Sequence, residues 1–149
     1  CERFPYLRHF SWTYLDPLVE RVAENPDTVP TLKGTRRSLL AAMRYLRRTG
    51  RTFRLEKVPL CYMGEFGHCS TETRALVKGE VRAVEFLDER KYYRETAWRY
   101  GKAPVCRGCS LDAICAGLWD MGGRYDPAEL IAQRKSPRPI VRRILSGRD

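Results

Sequence analysis

Between Thr31 and Thr49 the apolar residues Leu32, Leu39, Leu40, Met43 and Leu46 fall at helical spacing, while Arg36, Arg37, Arg44, Arg47 and Arg48 take the other side. That period predicts an amphipathic helix, with Gly50 as its stop. The pattern changes on either side of it. Tyr6 to Tyr14 is aromatic and β-branched, as a buried strand requires, and Asp16-Pro17 ends it. Thr52 to Leu60 alternates at Phe53 and Leu55, then shifts register near Lys57 and Pro59. Strand, helix, strand is the order of a parallel crossover. A shorter helix is expected over Leu18 to Ala23, closed by Asn25-Pro26.

Beyond residue 60 the periodicity weakens. Tyr62 to Cys69 contains two glycines and reads as a loop, Val77 to Glu80 as a turn, and Val81 to Leu87 as a strand. Arg90 to Tyr100 mixes charge with Tyr92, Tyr93, Trp98 and Tyr100 and reads as a helix or a linker. Asp126-Pro127 followed by Glu129 has the form of a capped helical turn. In the basic tail from Arg134, Ile140, Val141, Ile144 and Leu145 suit one short docked helix. No apolar run reaches the ~20 residues of a membrane span, and no charged-then-apolar leader opens the sequence. A soluble, cytoplasmic chain is expected.

Cysteine placement brings in chemistry. Cys106, Cys109 and Cys115 are spaced C-x2-C-x5-C, and Gly108 offers the first pair a tight turn. Thiolates gathered in this way suit zinc or an iron-sulfur cluster, and either needs one more ligand. Cys61, Cys69 and Cys1 are the options. Cys61 is preferred because it ends the second strand, the edge at which α/β folds bind ligands. His68, beside Cys69, is another possible donor. His9 and Cys69 also have plain readings, as a hydrogen-bonded rim histidine and a core thiol. Six cysteines in 149 residues fall below the density of a disulfide scaffold, which favours metal or redox chemistry in a reducing compartment.

Lys and Arg number 28 against 18 Asp and Glu, a net charge of +10 that attracts phosphates, nucleic acid or acidic proteins. A zinc-stabilised basic domain binding nucleic acid is therefore the second reading, with aromatic and basic residues interleaved from Lys91 to Arg99. Against it, zinc ribbons pair two C-x2-C knuckles and this chain has one. No Ser/His/Asp set, phosphate-cradling glycine loop or HExxH motif argues for hydrolysis or nucleotide binding.

Val58-Pro59-Leu60-Cys61 at a strand end, followed by Cys106-x2-Cys109-x5-Cys115-x-Gly117, Tyr125 and Glu129-Leu130, resembles the C-terminal part of radical S-adenosylmethionine enzymes. In that family a partial parallel β/α barrel precedes a twitch or SPASM-type extension holding an auxiliary four-iron four-sulfur cluster. The resemblance implies an α/β fold with the last β/α units of such a barrel in residues 1–60. A small cysteine-ligated α+β extension would occupy 61–130, and a basic tail 131–149. It implies Cys61, Cys106, Cys109 and Cys115 as ligands of one auxiliary 4Fe-4S cluster, serving electron transfer or substrate binding. Trp119 stands where a full SPASM extension has a further cysteine, so a second auxiliary cluster is not expected.

The family's CxxxCxxC motif, which binds the cluster that cleaves S-adenosylmethionine, is absent. S-adenosylmethionine would thus be a cofactor only of a complete protein. The chain opens on Cys1, not Met, and is expected to be a fragment or truncated relative of an oxidoreductase or maturase, not competent alone. Its expected partners are the missing N-terminal barrel half and a peptide or small-molecule substrate.

Overall fold

The structure, a computed structural model, describes residues 3–16, 20–81, 83–86, 91–94, 100–119 and 125–147. β1 (His9–Thr13) and β2 (Thr52–Glu56) pair in parallel, with Phe10 opposite Phe53 and Trp12 opposite Leu55. Between them run α1 (Glu20–Glu24), a 3-10 turn at Pro26–Thr28 and the amphipathic helix α2 (Leu32–Arg48). The crossover expected from the pattern is present. β2 stops earlier than its apolar run because Lys57 takes a positive φ of 61° and turns its N–H to the Glu72 carboxylate, 2.7 Å away.

The next segment differs from the expected loop. Two 3-10 stretches, Leu60–Tyr62 and Gly64–Cys69, lead into a helix, α3 (Thr71–Lys78). Local chemistry builds that helix: Ser70 Oγ accepts the Thr73 N–H, and Gly79 closes the other end at a left-handed φ of 67°. β3 (Ala83–Phe86) forms where a strand was expected. It pairs antiparallel with β4 (Lys91–Arg94), so this part of the 90–100 segment is a strand and not a helix or linker. The tyrosine pair at 92 and 93 favours that state, and a cross-strand partner decides it. Trp98 and the glycine pair at 122 and 123 lie outside the described residues.

β5 (Tyr100–Gly101) pairs antiparallel with β6 (Leu118–Trp119), and α4 (Arg138–Leu145) follows a 3-10 turn at Pro127–Glu129. That turn is capped as expected, with Asp126 accepting the Ala128 N–H at 2.8 Å. The fold is mixed α/β with a small parallel sheet and small antiparallel sheets. One buried cluster joins distant stretches of the chain, including Met43 and Leu46 of α2, Leu55 of β2, Tyr62, Leu111 and Ile144. Among the described residues no helix is long and apolar enough to cross a membrane.

Two polar networks hold these pieces together. At the start of α2 the three N–H groups of the first turn, which a helix leaves without intrahelical partners, are all satisfied, and the first intrahelical bond follows them. Thr31 Oγ1 accepts from Gly34 N and the Thr31 carbonyl from Thr35 N. Leu32 N and Lys33 N donate to the buried Glu129 carboxylate at 2.9 and 3.0 Å, from the far end of the chain. At the carboxyl ends of β1 and β2, Lys57 pairs with Asp16 at 2.6 Å and lies 4.3 Å above the Trp119 ring, whose indole N–H donates to Asp16. Buried Glu72 accepts from Lys57 N, Ser70 Oγ and Tyr100 OH. Both contacts dock β5 and β6 on the parallel pair.

The docked pair leaves no room for a side chain at Gly117. Its φ is 104°, and a Cβ there would stand 2.2 Å from the Gly101 carbonyl oxygen. Gly117→Ala is expected to cost at least about 2 kcal/mol from backbone strain and the clash, read as a lower urea midpoint. Gly108→Ala, where a Cβ meets nothing within 4 Å, is the matched control and should leave the midpoint within about 0.5 kcal/mol of wild type.

Candidate metal centre

Cys61 sits in the single 3-10 turn that begins at Pro59, directly after β2 and Lys57. Cys106 lies in the 3-10 stretch Pro104–Gly108, and Cys109 closes it by donating its N–H to the Cys106 carbonyl at 3.0 Å. A second turn, Asp112–Ile114, ends on Cys115. These consecutive tight turns explain why C-x2-C-x5-C brings its thiols to one side. Gly108 is not what permits them, since it has neither a positive φ nor a crowded Cα.

Cys61, Cys106, Cys109 and Cys115 line one cavity, whose other walls include Pro59, Leu60, Leu111, Leu130 and Ile131. All four are free and partly buried. The environment is apolar enough that burial pushes the Cys61 thiol up to about 11, with the neighbouring Cys115 and Cys106 adding to the rise and the Ile131 amide opposing it. Burial also raises the Cys115 thiol, against the amides of Leu60 and Gly117 and the charge of Lys102. Gln133 N donates to Cys109 Sγ at 3.3 Å. Backbone amides thus face three of the four sulfurs, and the Lys102–Asp112 ion pair, 3.0 Å apart, stands on the rim. Among the described residues no three His, Cys, Asp or Glu side chains close on one point tightly enough for a single metal ion.

The other sequence candidates lie elsewhere. Cys69 and His68 are buried at 5% and 4% exposure and line a different cleft, with Arg47, Arg51, Arg54 and Arg143, where β2 begins. Neither lines the four-thiol cavity. His9 hydrogen-bonds Thr52 across the β1–β2 pair at 2.7 Å, which matches its plain reading as a rim residue. Cys1 lies outside the described residues.

The amides of Ile131 and Gln133 and the ammonium of Lys102 were not singled out by the sequence. Backbone donors carry no residue-type signature. The one available sign was the capped turn at Asp126-Pro127-Ala128-Glu129, which had to deliver the next residues somewhere specific.

A four-thiol set with apolar walls and N–H groups aimed at sulfur fits an iron-sulfur cluster: soft anionic ligands, low dielectric, and donors that disperse charge on sulfur. Comparison of the chain with family models, characterised proteins and solved structures finds no match.

Proposed function

We propose that this chain is an iron-sulfur-binding region of a radical S-adenosylmethionine enzyme, in which Cys61, Cys106, Cys109 and Cys115 hold one auxiliary 4Fe-4S cluster. The observation that carries this reading is the meeting of Cys61 with the C-x2-C-x5-C cysteines around one apolar cavity, although a long stretch of chain separates them. The unit β1–α2–β2 corresponds on this reading to the last β/α units of a partial barrel, and the segment after Cys61 to its cysteine-ligated extension.

When bound with all four thiolates in place, the cluster would supply one-electron redox chemistry; substrate binding at iron would require one thiolate to give way. The chain's own residues perform the rest. Leu60, Leu111 and Leu130 shield the thiols from water, the amides facing sulfur disperse negative charge, and Lys102, itself ion-paired with Asp112 at 3.0 Å, adds a positive charge beside Cys115. Cleavage of S-adenosylmethionine requires the absent CxxxCxxC motif and belongs to a complete enzyme.

After anaerobic reconstitution, Cys61→Ala and Cys109→Ala should each lose most of the bound iron, with lower soluble yield because metal binding supports the fold. Cys69→Ala should retain wild-type iron, since that thiol faces the other cleft. Iron per chain unchanged in Cys61→Ala, or lost in Cys69→Ala alone, would overturn the ligand set.

A further inference from the structure

Glu129 stands beside the thiol cavity without lining it, and three hydrogen bonds converge on it. Its carboxylate oxygens accept from Leu32 N and Lys33 N, and its carbonyl accepts from the Tyr62 hydroxyl at 2.6 Å. From that anchor the backbone leaves extended, at φ −68° and ψ 140° for Leu130. Along this segment the Ile131 amide faces Cys61, and Gln133 N donates to Cys109 Sγ at 3.3 Å. Ser110 grips the far end, its N–H and Oγ both donating to the Gln133 carbonyl at 2.9 and 2.8 Å.

We propose, resting on the cluster assignment above, that Glu129 is a positioning residue that sets the cluster's reduction potential by fixing where the Ile131 and Gln133 amides meet the thiolate sulfurs. An N–H donated to a ligand sulfur stabilises the more negative, reduced cluster, so the potential rises with each well-placed bond. Loosening the anchor lets the segment drift and lowers the potential. In Glu129→Gln the side-chain shape is kept, the charge is lost, and only one of its two terminal atoms can still accept.

The test is a redox titration of the reconstituted chain, followed by electron paramagnetic resonance, after iron and sulfide have been measured in each sample. Glu129→Gln should keep the wild-type iron content and show a more negative midpoint potential. Tyr62→Phe, which removes only the bond to the Glu129 carbonyl, should shift it in the same direction by less. Thr31→Ala removes a different cap from the same helix and should lower stability with no change in potential.

An unchanged potential in Glu129→Gln, or an equal shift in Thr31→Ala, would overturn the positioning role while leaving the cluster assignment intact. Wild-type protein without iron and sulfide would overturn both. If Glu129→Gln loses iron, Tyr62→Phe decides by the same criterion.

Discussion

The structure hangs on a carboxylate placed at a helix terminus far away in sequence. Glu129 is 7% exposed, and a carboxylate that deep is costly unless its lone pairs are used. Leu32 N and Lys33 N use them, and the positive end of α2 adds to the attraction. Hydrogen bonds to a charged group contribute roughly 1.5–3 kcal/mol each, and breaking them would strand a buried anion and the buried Leu32 donor. The contact fixes the late segment against the helix that crosses between β1 and β2. The segment from 130 to 133 starts at that contact and is held at its other end by the two bonds from Ser110 to the Gln133 carbonyl.

A second constraint works from the opposite side. Lys57, Asp16 and Trp119, with Glu72 and Tyr100, clamp the β5–β6 pair to the carboxyl ends of the parallel strands. Cys61 lies just past β2, and Cys106 to Cys115 occupy the connection between β5 and β6. Docking that pair therefore carries three thiols to the fourth. The close approach of Gly117 to Gly101 gives the residue two beyond Cys115 a structural reason to be glycine, independent of any metal.

Much of this was legible in the sequence where the signal was periodic or chemical. The α2 stripe, the flanking parallel strands, the capped turn at Asp126 and the short C-terminal helix each follow from apolar spacing or capping residues. The convergence of Cys61 with the later cysteines followed from its place at a strand end. Helix α3 was missed because eight residues give little more than two turns of pattern, and its definition comes from caps at Ser70 and Gly79. β4 was missed because Lys91 to Arg94 has no apolar alternation and becomes a strand through pairing with β3. Glu129 as a helix cap, and the amides it positions, are long-range facts that no local pattern encodes.

The central claim is that these four thiols hold an iron-sulfur cluster, and metal analysis of the anaerobically purified, reconstituted wild-type chain tests it most directly. About four iron and four sulfide per chain, the content of a cluster held by four cysteines, is the predicted result. One zinc per chain with no sulfide would contradict it and turn attention to a basic zinc domain and nucleic acid.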